Sequence, residues 1–273
     1  MVVIESSGIT DVGRKRANNE DALFLDDKMK LYLVADGMGG HQAGEIASHL
    51  VVETIIDYMN NYCDRKSDFI NHDKTLSSEA NRLLSGIILS NRKVYEASQS
   101  NENYRGMGST ISALYVSDDT LITANVGDSP IYLIHNGSIN LLSIPHTMVA
   151  EQASLFPKGS AKLGDEYKHI LTRAIGIEKN VNADICEMHY YQGDTIVIAS
   201  DGLSDKVQPD EIMDIVTNEE PDKACASLVN MANDRGGDDN ITSIVVKVKK
   251  VLNKKQRIKG LLSKLANTFI KKD

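Results

Sequence analysis

The sequence predicts an α+β fold in which antiparallel β-sheets pack against pairs of helices. Short runs rich in Val, Ile, Leu, Thr and Tyr recur along the chain and are bounded by Gly, Asp or Asn, which is typical of strands. Longer stretches carry apolar residues at helical spacing. The strand runs and the helix pairs are segregated along the chain instead of alternating one by one, which favours antiparallel over parallel sheets.

The predicted strands fall into an early group, a middle group and a late group. They cover residues 22–25, 30–35, 109–116, 120–126, 131–135, 138–142, 195–199 and 241–248. Between the fifth and the sixth, Asn136 and Gly137 predict a two-residue hairpin turn, because both residue types tolerate positive φ.

Four helices are predicted, at residues 45–62, 77–98, 209–217 and 221–233. The last two begin with proline, which is favoured in the first helical turn. Residues 143–170 contain two prolines, two glycines and no sustained period. We interpret this stretch as a loop insertion over a functional site.

The composition is that of a globular protein that stays in the compartment where it is made. The 273 residues are 41% apolar and 25% charged, enough for one large domain with a real core. The sequence has no apolar run of the roughly 20 residues that span a bilayer, and its first residues lack the features of a signal peptide. Its three cysteines are far apart and odd in number, so we expect a reducing, cytoplasmic location.

The net charge of −8 hides an acidic body and a basic tail. Residues 1–248 carry −16 and are expected to form the functional domain, a poor nucleic-acid binder unless cations cover its carboxylates. Residues 249–273 carry +8 and have an apolar helical face. This tail could pack on the domain, dock to an acidic partner or lie on anionic lipid. We favour packing or docking over the membrane.

Acidic residues cluster at four places, three of which adjoin apolar strands. The clusters are residues 16–21, 34–37, 198–205 and 236–240, and glycines follow at 37, 39, 40 and 44. Carboxylates that converge repel each other unless a cation neutralises them. Oxygen ligands without a Cys/His cluster favour Mg²⁺ or Mn²⁺ over zinc. Glycine would let a backbone carbonyl approach such an ion.

Each cluster taken alone also has an ordinary interpretation. A single Asp-Gly pair is usually a turn, and Arg16 by itself is most simply a surface arginine. His41 is a candidate general acid near neutral pH, or a structural residue at the start of a helix. His146, in the irregular stretch, is a less favoured candidate. The functional interpretation therefore rests on the four clusters occurring together.

Seven motifs in order resemble the metal-dependent serine/threonine protein phosphatases of type 2C, in particular the bacterial branch. They are TDVGRKRANNED (10–21), VADGMGGHQAGEIAS (34–48), GMGST (106–110), ANVGDS (124–129), LTRAIG (171–176), ASDGLSD (199–205) and GGDDNIT (236–242). The resemblance runs from about Ile9 to Val248. It implies a central sandwich of two antiparallel sheets flanked by pairs of helices, a four-layer α/β/β/α arrangement.

The resemblance also implies roles for particular residues. Asp36 matches the carboxylate that bridges two metal ions, with the Gly37 carbonyl as a further ligand. Arg16 matches the phosphate-binding arginine, and Asn240 matches a residue that supports the ligands from behind. The remaining matches are Asp201 and Asp239 at the first ion, Glu20 and Asp21 at the second, and Asp128 and Asp205 at a third, weaker ion.

The implied reaction is hydrolysis of phosphoserine or phosphothreonine on proteins. Two Mg²⁺ or Mn²⁺ ions roughly 3.5–4 Å apart would make a bridging hydroxide that attacks phosphorus in line, and Arg16 would stabilise the phosphoryl oxygens. His41 or a metal-bound water would protonate the leaving alkoxide. The implied partners are phosphorylated proteins and an opposing serine/threonine kinase.

Two other functions remain open from the residues. One is a phosphatase-like sensor or adaptor that acts through partner binding, and the other is a two-metal nuclease or small-molecule phosphatase. The chain also departs from the usual family pattern at Pro130, where arginine is usual, at Pro145, where aspartate is usual, and throughout residues 147–169. These departures concern the third ion, the flap and the substrate preference, and leave the two-ion core intact.

Overall fold

The computed structural model of the protein describes residues 2–39, 43–61, 72–155, 164 and 167–251. Their strands form two antiparallel sheets. The first sheet has the order β1-β11-β10-β7-β8, with β1 Val2–Asp11, β7 Ile131–His135, β8 Ser138–Leu141, β10 Thr195–Ala199 and β11 Ile241–Val251. The second has the order β2-β3-β5-β6-β9, with β2 Asp21–Asp26, β3 Leu31–Met38, β5 Ile111–Val116, β6 Thr120–Val126 and β9 Asp184–His189; β4 Gly108–Ser109 pairs with the end of β3.

Two pairs of helices cover the outer faces of the sheets. Helices α1 Ala43–Asn61 and α2 Ser78–Ser100 pack on the second sheet, and α5 Pro209–Asn218 and α6 Pro221–Asp234 pack on the first. Two shorter helices, α3 Met148–Leu155 and α4 Asp201–Ser204, lie in the connections. The two late helices have proline in their first turn, as predicted.

The four layers follow from the alternation of side chains along the central strands. In β3, Leu31, Leu33 and Ala35 join the core beneath α1 and α2, whereas Tyr32 and Val34 point into the core between the sheets. Strand β10 alternates in the same way between the inter-sheet core and the core beneath α5 and α6. Successive residues of a strand point to opposite faces, so each central strand serves two cores. The predicted α/β/β/α sandwich is confirmed.

The predicted elements agree with the structure where the local pattern is strong. Strands β6, β7 and β10 have the predicted bounds. The hairpin between β7 and β8 is confirmed, with φ of 49° at Asn136 and 76° at Gly137.

The elements that sequence patterns did not predict include β1, β9 and α3. Strand β1 pairs with β11 along its whole length, β9 lies at an edge of the second sheet, and α3 lies inside the stretch that we expected to be a loop. None of the residues of β9 or α3 is fully buried, so neither element carries a distinct apolar pattern.

The basic tail falls mostly outside the described residues. Strand β11 continues to Val251, so its last residues include the first lysines of the tail, and residues 252–273 are not described. Within the described ranges, every helix is too short or too polar to cross a bilayer.

Candidate metal centre

Asp36 lies at the end of β3 and is fixed there through its backbone. Its N–H donates to Thr110 Oγ1 at 3.0 Å, and its carbonyl accepts from the Thr110 N–H at 2.8 Å and from Ser109 Oγ at 3.0 Å. Both partners belong to the GMGST motif, for whose residues the family resemblance implied no role. The motif therefore sets the position from which the Asp36 carboxylate projects.

Asp201 and Asp239 come together because the strands beside them are neighbours. Asp201 begins α4 just after β10, and Asp239 lies just before β11, which pairs with β10. The backbones of the two loops touch at Gly202, where a Cβ atom would lie 2.0 Å from the Asn240 carbonyl oxygen. Only glycine permits this approach, which brings the two carboxylates to one site.

Glu20 is held by Asn240. The Asn240 Oδ1 accepts a hydrogen bond from the Glu20 N–H at 2.8 Å, and its Nδ2 donates to the carbonyls of Val12 and Asn18, each at 2.9 Å. One amide side chain thus joins the loop before β11 to the loop before β2. The position of Glu20 depends on these bonds.

The surroundings of Gly37, near the end of β3, explain the first glycine of the glycine-rich stretch 37–44. A Cβ atom at Gly37 would lie 2.1 Å from the Gly44 carbonyl oxygen and 2.6 Å from that of Glu20. The bare backbone is therefore needed for packing of the chain on itself beside the carboxylates. The expected contact between the Gly37 carbonyl and a metal ion remains a prediction.

The adjacent residues Asp238 and Asp239 have different surroundings. Asp238 pairs with Lys15 and Lys206, and these two lysines lower its pKa to about 2. Asp239 instead faces the cavity, where Arg16 Nη2 donates to its Oδ2 at 2.8 Å. Of these two aspartates, only Asp239 is placed to serve as a metal ligand in the cavity.

Most of the predicted site residues surround one cavity of about 470 Å³. They are Arg16, Glu20, Asp36, Gly37, Asp128, Asp201 and Asp239. Thr110, His169 and Asn240 also line the cavity. The GMGST and GGDDN motifs contain Thr110 and Asn240, but nothing in the sequence pattern marked His169.

Asp21 and Asp205 do not line the cavity. Asp21 is buried beside Asp36 on the paired strands β2 and β3, and its Oδ2 accepts a hydrogen bond from Thr242 Oγ1 at 2.6 Å. Burial is the main cause that raises its pKa to about 7. Asp205 is half-exposed, and its Oδ2 lies 3.6 Å from His169 Nε2.

The electrostatics of the cavity favour a divalent cation. Burial and then neighbouring carboxylates raise the pKa values of Asp36 and Asp201, and the same two causes raise that of Asp128 to about 7. Among the described residues, Asp201 Oδ1 is a buried oxygen with no hydrogen-bond partner. Oxygen donors that repel each other and lack partners are suited to Mg²⁺ or Mn²⁺. The donor set therefore fits the predicted ions.

His41 and His146 are the two histidines predicted as candidate general acids, and only His146 lies within the described residues. His41 lies outside the described residues. His146 is buried away from the cavity: its Nδ1 accepts a hydrogen bond from the Gly127 N–H at 3.0 Å, and its Nε2 lies 2.6 Å from Asp184 Oδ2. Burial lowers its pKa. His146 thus anchors the loop that precedes Asp128 and does not line the cavity.

A family model described as protein phosphatase 2C matches residues 12–245. The chain belongs to this family. It is 36% identical over 243 residues to a putative protein phosphatase 2C-type of Streptococcus pyogenes, covering 87% of this chain and 94% of that relative.

Solved structures agree with the assignment to the phosphatase 2C family. The S. agalactiae serine/threonine phosphatase superposes with a TM-score of 0.77 at 33% identity, covering 90% of this chain and 100% of that one. The catalytic domain of the serine/threonine protein phosphatase PstP, in complex with two manganese ions, has a TM-score of 0.76 at 26% identity, covering 92% and 100%.

Proposed function

We propose that this protein is a Mg²⁺- or Mn²⁺-dependent phosphatase that hydrolyses phosphoserine and phosphothreonine on other proteins. One observation carries the proposal: Glu20, Asp36, Asp201 and Asp239 converge on a single cavity with Arg16 at its edge. Related proteins of the same family carry the name serine/threonine phosphatase.

We infer that two ions are held by the cavity carboxylates. Asp36 and the Gly37 carbonyl would be shared or neighbouring ligands, Asp201 and Asp239 would hold one ion, and Glu20 the other. Asp21, which is buried beside Asp36 and does not line the cavity, would contact the second ion through a water molecule. Bound there, the ions would lower the pKa of coordinated water and offset the negative charge of the phosphoryl group.

The protein residues contribute orientation and further charge. Arg16 has a planar guanidinium that can donate two parallel hydrogen bonds to phosphoryl oxygens, and about half of its side chain is exposed at the cavity. Thr110 and Asn240 hold the backbones of Asp36 and Glu20, so the carboxylates keep their places when substrate binds. The proton donor to the leaving alkoxide is proposed to be water or His41.

We propose that the biological substrates are phosphoproteins made by an opposing serine/threonine kinase in the cytoplasm. Cys186 and the buried Cys225 are free thiols, in keeping with a reducing compartment. We propose residues 1–248 as the catalytic domain and the basic residues 249–273 as a docking tail. Nucleic acid is not an expected partner, because those first 248 residues are strongly acidic.

The test is turnover of p-nitrophenyl phosphate and of phosphoserine, phosphothreonine and phosphotyrosine peptides with Mn²⁺ or Mg²⁺. We expect hydrolysis that a chelator abolishes. In Asp201→Asn the rate should fall by more than about 100-fold, since removing even an outer partner of a metal site costs 10–100-fold. A matched control is Asp118→Asn, which alters a turn between β5 and β6.

Full activity of Asp201→Asn would overturn the metal assignment. A folded protein without turnover at any metal concentration would instead favour the sensor or adaptor function. Hydrolysis of nucleotides in preference to phosphopeptides would favour the small-molecule phosphatase or nuclease.

A further inference from the structure

A second cavity, which we call the flanking pocket, lies directly beside the cavity of the proposed metal centre. Its volume is about 350 Å³, and Met38 and Leu171 line both cavities. Met38 ends β3 two residues after Asp36, and Leu171 forms a β-bridge with Thr147. The two cavities therefore share a wall, and a molecule bound at the carboxylates can extend into the flanking pocket.

Much of the lining of the flanking pocket is apolar. Its apolar side chains are those of Met38, Leu171, Ala174, Ile177 and Val181. Ile177 is 45% exposed. Its Cδ1 and the Cε of Met38 would each lie 2.9 Å from a Cβ atom at Gly108, so that glycine lets both side chains lie close to the backbone. An apolar side chain bound over Ile177 and Met38 would remove this surface from water.

The wall that carries Ile177 is held in place by Asn91, a buried residue of α2. The Asn91 Oδ1 accepts a hydrogen bond from the Gly176 N–H at 2.8 Å. Its Nδ2 donates to the carbonyls of Glu178 and Lys179 at 3.0 and 3.2 Å. These bonds fix the backbone on both sides of Ile177. The pocket is thus formed before any ligand arrives, and binding would not have to order this loop.

The charged side chains of the flanking pocket do not favour an acidic ligand. Arg173 lines the pocket, but its Nη1 lies 3.3 Å from Asp184 Oδ2 and 3.2 Å from His146 Nε2, so its positive charge is already balanced. Glu178 adds a carboxylate to the lining. An acidic side chain would gain no attraction there, whereas an aliphatic one would gain from contact with the apolar wall.

We propose that the flanking pocket binds an aliphatic side chain of the substrate, two residues away from the phosphorylated serine or threonine. The proposal rests on the phosphatase function above and adds a substrate preference to it. In an extended peptide, residues i and i+2 point to the same side and lie roughly 6.6 Å apart. When the phosphoryl group of one residue enters the metal cavity, the side chain two positions away would face the adjoining pocket.

The test compares phosphothreonine peptides that carry leucine, alanine or aspartate two residues before or after the phosphothreonine. With the full-length protein and Mn²⁺, we expect kcat/KM for leucine to exceed that for alanine by about tenfold at one of these positions, with no gain for aspartate. In Ile177→Ser this preference should fall to about threefold or less. Ile144→Ser is the matched control, because Ile144 is also an exposed isoleucine but lines neither cavity. Circular dichroism checks that both variants are folded.

Two results would overturn the flanking pocket as a substrate site. One is a wild type with equal kcat/KM for the leucine and alanine peptides at both positions, and the other is a leucine preference that is as large in Ile177→Ser as in the wild type. Turnover of p-nitrophenyl phosphate, which has no flanking residue, separates these results from failure of the proposed function. A wild type that hydrolyses neither this compound nor any peptide would overturn the phosphatase as well.

Discussion

Arg16 and Asp239 form an ion pair between two residues with different proposed tasks. Arg16 is proposed to bind phosphate and Asp239 to bind metal, yet Arg16 Nη2 lies 2.8 Å from Asp239 Oδ2. The pair is partly exposed, so it contributes little to stability, and another cation can replace the guanidinium at Asp239. A cation and the guanidinium would compete for the same carboxylate oxygen. Metal binding would therefore release Arg16 for the phosphoryl group.

Arg16→Ala separates these two tasks. We expect kcat/KM to fall by about 100-fold, the usual cost of removing a donor that stabilises transition-state charge. The affinity for Mn²⁺ should stay the same or increase, because a competing positive charge is gone. Arg16→Lys should recover only part of the rate, since lysine lacks the planar fork. Kinetics at saturating Mn²⁺ and Mn²⁺ titration measure the two quantities. Weaker Mn²⁺ binding with unchanged kcat/KM would contradict the phosphate role.

At the scale of elements, sequence predicted what is encoded locally and missed what is set by tertiary contacts. Strands β6, β7 and β10 carry compact apolar runs, and Asp36 and Asp201 follow such runs directly. Strand β1 was missed because its polar centre is accommodated only by pairing with β11.

The same limit explains the parts of the site that were not predicted. Thr110 reaches Asp36 across 74 positions of the chain, and His169 comes from a segment without a period. A single sequence has no local signal for either contact.

The approach of the end of β3 to the start of α1 gives a test at this scale. In Gly37→Ala the new Cβ would lie 2.1 Å from the Gly44 carbonyl oxygen, and a backbone atom cannot move aside as a side chain can. We expect a loss of about 3 kcal/mol or more in the free energy of unfolding, the upper end for overpacking. Urea unfolding in the presence of a chelator measures the effect without a contribution from metal.

Gly86→Ala is the matched control for Gly37→Ala. Gly86 is a buried glycine of α2, but its new Cβ would meet nothing closer than 3.6 Å. We expect this variant to be unchanged or stabilised by up to about 1 kcal/mol, the helix propensity difference between the two residues. A Gly37→Ala protein as stable as the wild type would show that the loop is not packed as described.

At the scale of the whole molecule, the carboxylates that suit the cavity for binding cations lower the stability of the cation-free fold. Residues 1–248 carry a charge of −16, and the loops at one end of both sheets concentrate several carboxylates around a single cavity. Without a cation these groups are buried near like charges, and their pKa values rise. Functional sites often retain such unfavourable arrangements.

The stability of the chelated protein should therefore fall as pH rises. The folded-state pKa values of Asp21 and Asp128 are about 7, compared with an ordinary 3.8, so the folded state binds more protons than the unfolded state between these limits. The free energy of unfolding contributed by these groups is present below about pH 4 and is lost as pH rises toward 7. Each pKa unit corresponds to about 1.4 kcal/mol.

Asp201→Asn tests this conflict between cation binding and stability, because the variant that loses activity should have a higher free energy of unfolding in chelator. At pH 7 in chelator it removes one of the repelling charges, and we expect it to be more stable than the wild type by about 0.5–2 kcal/mol. Saturating Mn²⁺ should reverse the order, since ligand at 100 times its Kd adds about 2.7 kcal/mol to the protein that binds it. Thermal and urea unfolding at pH 5 and 7 measure both differences. If Asp201→Asn were less stable than the wild type in chelator at pH 7, the carboxylates would not be in electrostatic conflict, and the main physical reason for placing cations among them would be lost.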